Sequence, residues 1–194
     1  FYKQLTDAIE RGNIKIEGDT ISFFNNDAKL YGIEFEGRKA LDFLGPPFGL
    51  FSLGGSLSLI QSDVKLSETN LWTKRQYLPD TSDTRPLYDQ SPYILNMDLN
   101  YNNPSIGTSA SLILNVAGPR IAITKLSTED VYEQPVPALD FILAQKIGRN
   151  LTVKFGAKNL LNPKIERTYG KDSNLIYSSY TRGRSFGLSL AYDF

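Results

Sequence analysis

The chain has 194 residues, enough for one domain, with 21 basic and 21 acidic residues, no His and no Cys. Zero formal charge offers no basic face, so no nucleic-acid partner is expected. Without His or Cys this chain excludes disulfides, thiolate chemistry, the commonest metal ligand and any Ser-His-Asp or Cys-His site, so neither an enzyme nor a cofactor is expected.

No stretch reaches the roughly 18 consecutive apolar residues of a transmembrane helix. That leaves a transmembrane β-barrel open, because a barrel carries its apolar surface on every second residue.

In chain order, Tyr2 to Ile9 reads as a weak strand. There is no signal peptide at Phe1, and FYKQLTDAIE already looks like a strand in progress. The chain is therefore expected to begin inside a larger domain. Arg11 to Asp27 reads as a polar loop marked by Gly12, Asn13, Gly18, Asp19, Asn25, Asn26 and Asp27, with a short Ile14–Ile16 alternation inside it. Ala28 to Leu41 is a clearer strand, with Tyr31, Ile33 and Phe35 on one face and Gly32, Glu34, Glu36 and Arg38 on the other. Gly45-Pro46-Pro47 makes a turn. Phe48 to Val64 follows, with Phe51, Leu53, Leu57 and Leu59 opposing Ser52, Gly54, Ser56 and Ser58.

Ser67 to Gln90 is a long polar loop holding the only Trp, Trp72, and Tyr77. Ser91 to Tyr101 and Ile106 to Val116 form a pair of alternating strands around the turn Asn102–Ser105. Ala122 to Pro135 is a polar loop. Ala138 to Ile147 and Leu151 to Leu161 are strands around Gly148–Asn150, and Lys164 to Ser179 is a Tyr-rich loop.

The last strand alternates without a break: Phe186, Leu188, Leu190, Tyr192 and Phe194 against Ser185, Gly187, Ser189, Ala191 and Asp193. The fold class expected is all-β, an antiparallel meander of roughly eight strands with no convincing amphipathic helix. Short turns alternate with long loops, the layout of an outer-membrane barrel. Unpaired backbone groups are too costly in a bilayer for an open edge, so such strands belong to a closed barrel, alone or with others outside this chain.

Several candidate sites have plain structural explanations. Glu34 and Glu36 form a carboxylate pair suited to acid–base or calcium chemistry, but one strand supplies no third ligand, and neutralisation by Arg38 on the same face is the expected role. Lys154 and Lys158 are expected to join cross-strand pairs with Asp140. Arg182-Gly183-Arg184 suits an anionic ligand or lipopolysaccharide phosphates, or a solvated strand end. Trp72, Tyr77, Tyr169 and Tyr177 lie in long loops and are the ligand-contact candidates. Tyr88 and Tyr180 sit closer to strands and suit an aromatic girdle equally well.

Four segments, in this order, resemble TonB-dependent outer-membrane receptors. AKLYGIEFEG (Ala28–Gly37) resembles their x-x-x-x-G-x-E-x-E strand, and SPYILNMDLNY resembles P-Y-x-x-N-x-x-L-x-Y. Gly156, Asn159, Leu160, Leu161, Asn162 and Lys164 resemble G-x-x-N-L-[LF]-[ND]-x-K. The terminal pattern Ser185, Gly187, Leu190, Tyr192 and Phe194 is similar to the strand that the barrel-assembly machinery recognises in outer-membrane barrels.

The resemblance implies a C-terminal segment, residues 1–194, of a 22-stranded barrel that closes around a plug domain. It implies uptake of an iron chelate, a vitamin or an oligomeric nutrient, driven by TonB acting through the plug. Outer-membrane lipid and lipopolysaccharide would surround the barrel. The chain departs from the family in lacking a plug, a TonB-contacting segment and the full set of strands. A complete eight-stranded outer-membrane barrel with a structural or adhesive role, and a soluble β-fold binding module, remain alternatives.

Overall fold

The computed structural model describes residues 1–13 and 22–193. The expected Ile14–Ile16 alternation and Phe194 lie outside the described residues. The described strands are β1 (Tyr2–Asn13), β2 (Ser22–Ala40), β3 (Phe51–Lys65), β4 (Thr84–Arg85), β5 (Tyr93–Asn103), β6 (Thr108–Ala117), β7 (Arg120–Lys125), β8 (Val131–Glu133), β9 (Ala138–Ile147), β10 (Leu151–Lys158), β11 (Ile165–Tyr169), β12 (Ile176–Tyr180) and β13 (Ser185–Tyr192). One helix, α1 (Glu68–Arg75), lies between β3 and β4.

The sheet thus holds 13 strands among the described residues, not roughly eight, and its path has two ends. Eight of them, β1, β2, β3, β5, β6, β9, β10 and β13, pair in that order as an antiparallel meander. The additional strands come from segments expected to be loops. Ala122–Pro135 contributes β8 and much of β7, and Lys164–Ser179 contributes most of β11 and β12. These four strands pair in the order β12-β11-β8-β7.

This smaller sheet joins the meander through a parallel contact, Gly12 opposite Thr124 and Asn13 opposite Lys125. A Cβ on Gly12 would fall 1.7 Å from Thr124 Oγ1, so only glycine permits this approach.

Two further expectations are corrected. Ser22 to Asp27 continues β2, and Arg11 to Asn13 continues β1. Asn25 and Asp27 read as turn residues but serve a bulge in β1, where Asp7 has φ +55°. Asn25 Nδ2 donates to the Asp7 carbonyl, and the Asp7 N–H donates to Asp27 Oδ1. Ile106 belongs to the turn before β6, which begins at Thr108.

Within the meander the register runs unbroken from β2 to β13, so residues opposite one another share a face. One row reads Phe51, Tyr101, Ala110, Leu143, Phe155, Leu188 across successive strands. The next row reads Leu53, Leu99, Leu112, Phe141, Ala157, Phe186.

The opposite face carries Ser52, Asn100, Ser111, Ile142, Gly156 and Gly187 in one row, and Glu36, Ser56, Asn96, Asn115 and Ala138 in another. Much of the apolar face is uncovered: Ile33, Phe35 and Leu53 within the sheet are 59%, 58% and 42% exposed, and Phe186, Leu188 and Leu190 on its last strand are exposed too. The polar face bonds to itself instead. Asn96 donates to Ser56 Oγ, Asn115 donates to Asn96, and Ser111 donates to Asn100.

The buried apolar cluster lies on the polar-face side of one sheet end. Ala28, Leu30 and Val64 are buried there against Leu5, Ala8, Ile60 and Leu87. Leu87 belongs to the Ser67–Gln90 segment, so this connection folds inward over the polar face. The long connections gather at this end, and the short ones, at 41–50, 104–107 and 148–150, gather at the other.

Candidate functional site

The long connections form a cap held by ion pairs between distant parts of the chain. Arg85 Nη1 and Nη2 donate to the two carboxylate oxygens of Glu10 at 2.7 and 2.8 Å. The Tyr88 N–H and Asn26 Nδ2 also donate to this carboxylate, and the Glu10 side chain has no solvent exposure. Lys74 Nζ meets Asp130 Oδ1 at 2.7 Å, and both side chains are almost wholly enclosed. Glu133 accepts from Arg120 at 2.8 Å and from Arg167 Nη2 at 2.8 Å. These pairs join β1 to β4, α1 to the β7–β8 connection, and β8 to β7 and β11.

Helix α1 forms for local reasons the hydrophobic pattern does not carry. Ser67 Oγ accepts the Asn70 N–H at its N-terminus, Glu68 sits in the first turn, and Lys74 and Arg75 sit in the last. Its buried residue is Lys74, so an ion pair rather than an apolar stripe docks it.

Electrostatics follow from these enclosures. Burial alone would raise the Glu133 carboxyl, but hydrogen bonds from Arg120 and Arg167 outweigh it and hold the group below its ordinary range. Burial would lower the Arg120 guanidinium, yet its bond to Glu133 and the charge of Asp89 raise it. Burial, reinforced by the Asp130 charge, pushes the Tyr132 phenol up to about 12.

A cleft of about 390 Å³ opens where this cap overhangs the ends of β6, β9, β10 and β13. Arg120, Glu133, Gln134, Asn159, Arg182 and Ser185 supply its polar lining. A second cleft, of about 430 Å³, separates the α1 connection from β8 and includes Lys74, Arg85, Asp130 and Tyr132. Among the described residues, no group of three or more Asp or Glu is placed to hold a metal ion. Arginines, amides and hydroxyls around open clefts suit reversible binding of a polar ligand.

The predicted aromatic candidates separate into two places. Tyr169 and Tyr177 meet edge to face with centroids 5.4 Å apart, and Lys125 Nζ stands 5.3 Å from the centre of the Tyr177 ring. Trp72 lies on α1 and Tyr77 just beyond it, 67% and 48% exposed, and neither makes a ring contact with that pair. None of the four lines the 390 Å³ cleft. Tyr180 lies on β12 with Ile165 opposite, and the Tyr88 backbone is bonded to Glu10.

The charged candidates on the strands behave differently from expectation. Arg38 does not neutralise Glu34 or Glu36. It makes a two-point bond to Asp98 of β5 at 2.7 and 2.9 Å. Gly54 makes room for this pair: a Cβ there would lie 2.5 Å from Asp98 Oδ1 and 2.7 Å from Arg38 Nη2. Asp140 does not pair with lysine; it accepts the Asn159 N–H at 2.8 Å.

Asn159 and Asn162 explain part of the β10 motif. Both take left-handed backbone conformations, φ +56° and +44°, which asparagine tolerates better than most residues. The Asn159 amide donates to the Gly183 carbonyl, and the Gly183 N–H donates to Asn162 Oδ1. The Arg182-Gly183-Arg184 segment is thus tied to the exit of β10. Arg184 donates to the Leu160 carbonyl, while Arg182 lines the cleft.

Of the terminal pattern, Ser185, Gly187, Leu190 and Tyr192 stand opposite Lys158, Gly156, Val153 and Leu151 of β10. β13 ends the path of the sheet.

No family model and no curated protein matches the sequence. Solved structures do match in shape. The copper transporter OprC aligns at a TM-score of 0.62 with 17% identity over 100% of this chain and 28% of its own. The ferric yersiniabactin uptake receptor FyuA from Yersinia pestis aligns at 0.58 with 17% identity, over 89% of this chain and 25% of its own. The chain therefore spans about a quarter of the length of each. At this identity the likeness is one of fold, and it is to TonB-dependent receptors, the family whose motifs the sequence resembles.

Proposed function

We propose that this chain is part of the wall of a TonB-dependent receptor barrel in a bacterial outer membrane, taking up a nutrient by ligand binding and gated passage, without bond chemistry. The observation that carries the reading is the unbroken register from β2 to β13, which puts an exposed apolar face and a self-bonded polar face on the same seven strands. Lipid suits the first face and a hydrated interior the second.

Remaining strands complete a ring of 22, with a plug inside it that TonB pulls upon. Lipopolysaccharide surrounds the outer end. The assembly machinery reads Ser185, Gly187, Leu190, Tyr192 and Phe194. The small side chains of the polar face, Ser52, Gly54, Ser56, Ser109 and Ser111, suit a wide lumen holding a plug. They would leave a narrow barrel underfilled. A closed eight-stranded barrel also needs β1 beside β13, whereas β1 pairs with β2 and β7.

The cargoes named for the two similar structures are copper and a ferric chelate. This chain has no His or Cys to hold bare copper, and its only Met, Met97, sits on the apolar face. A chelate contacted by loop aromatics and arginines fits better. The test is fractionation of the full-length protein. We expect it in the outer membrane, extracted only by detergent. A folded, monodisperse preparation in plain buffer overturns the reading.

A further inference from the structure

The connection from Leu41 to Leu50 differs from the other two short turns at its end of the sheet. Those carry Pro104-Ser105-Ile106-Gly107, with one exposed apolar side chain, Ile106, and Gly148-Arg149-Asn150, with none. This one carries Phe43, Leu44, Phe48 and Leu50, all exposed, with Asp42 as its only charge. Exposed apolar side chains in a short polar-solvent turn need an explanation.

Its backbone is unusually self-contained. Two successive 3₁₀ turns, Asp42–Leu44 and Pro46–Phe48, return the N–H groups of Leu44, Gly45, Phe48 and Gly49 to carbonyls within the turn. The Leu41 N–H donates to Phe51, and Pro46 and Pro47 have no N–H to satisfy. Few donors are left that require water, the condition for placing irregular backbone next to hydrocarbon.

The turn also continues the apolar face rather than the polar one. Phe48 lies 6.4 Å from Phe51, and Phe51 lies 5.0 Å from Tyr101, both on the apolar face. Lys39, opposite Leu53 on that face, holds Nζ 5.9 Å from the centre of the Phe43 ring. A lysine that lays its stem on apolar surface and keeps its ammonium at the polar edge is typical of a bilayer boundary.

We propose that the Leu41–Leu50 turn is an interfacial anchor, embedded at the headgroup–acyl boundary of the leaflet at the short-turn end of the barrel, with phospholipid as its partner. This rests on the bilayer reading of the apolar face.

The test uses spin labels on single cysteines in the full-length protein, in a background without other cysteines, reconstituted in vesicles of phosphatidylethanolamine and phosphatidylglycerol. Phe48→Cys probes the turn, Leu188→Cys the apolar face, and Arg149→Cys the neighbouring polar turn. We expect the ratio of oxygen to nickel-chelate collisions at position 48 to shift toward that at 188 and away from that at 149. A water-like ratio at 48 with a lipid-like ratio at 188 overturns the anchor alone. Low access to both reagents at 48 marks protein cover and also overturns it. Water-like ratios at both 48 and 188 overturn the bilayer reading itself.

Discussion

Glu10 and Arg85, 75 positions apart, form a two-point ion pair in which the carboxylate is fully enclosed. β1 supplies one partner and the long β3–β5 connection the other, so this pair helps to hold that connection down over the polar face, beside the Lys74–Asp130 pair and the pairing of β4 with β3. Removing one side of a buried pair leaves a charge without a partner, a loss of about 3–5 kcal/mol. We expect Glu10→Ala to destabilise the cap by that order and to expose residues 66–92 to protease. Limited proteolysis with peptide mapping checks this. Protection unchanged from wild type at 66–92 would show that the Lys74–Asp130 pair, the β4–β3 pairing and Leu87 packing hold the segment without it.

Glu133 makes the cap sensitive to acid. Its folded carboxyl lies below the ordinary value of 4.5, because the bonds from Arg120 and Arg167 outweigh burial. The stability it contributes is therefore present above that ordinary value and is lost as pH falls through the lower, folded one. Hydrogen exchange across β8 and β11 is expected to accelerate in that acid window, and Glu133→Gln to flatten the dependence.

Tyr132 sets the opposite limit. Its phenol is pushed from 10.0 up to about 12, so the folded cap favours the neutral form. That contribution is complete below the unfolded value and declines as pH rises from there toward about 12. A Tyr132→Phe variant should lose the alkaline loosening of β8 seen by hydrogen exchange in the wild type.

The two faces predict unequal responses to one substitution. Leu190 is on the apolar face and Ser189 on the other, beside Lys154. Leu190→Arg should cost about 2–4 kcal/mol in a bilayer if the position is near its midplane, and Ser189→Arg much less. Urea titration of the full-length protein folded into vesicles measures both. Equal losses would contradict the facing.

Tyr169 and Tyr177 are expected to contribute ligand contacts together, since their rings touch and Lys125 stands over one of them. Replacing either by Ala should weaken binding of a ferric chelate to the full-length receptor by about 0.5–1.5 kcal/mol, read by titration calorimetry. Loss confined to Trp72→Ala and Tyr77→Ala would move the contact to α1.

The local sequence determined the meander and its two faces. Phe186, Leu188 and Leu190 alternate with Ser185, Gly187 and Ser189, and a strand converts that alternation into geometry without reference to anything distant. Other parts of the chain are less legible. Asn25 and Asp27, in β2, have the composition of a turn because they serve a bulge in β1, and no apolar stripe marks α1 because an ion pair docks it.

Only the tertiary structure decided the cap, with Glu10 on Arg85, Lys74 on Asp130 and Asn159 on Gly183, and the cross-strand pairing of Arg38 with Asp98 rather than with its strand neighbour Glu36. A strand's periodicity is fixed by bond geometry over two residues. A partner for a buried charge is fixed by which side chains the folded loops bring within about 3 Å, and that distance has no counterpart in sequence spacing.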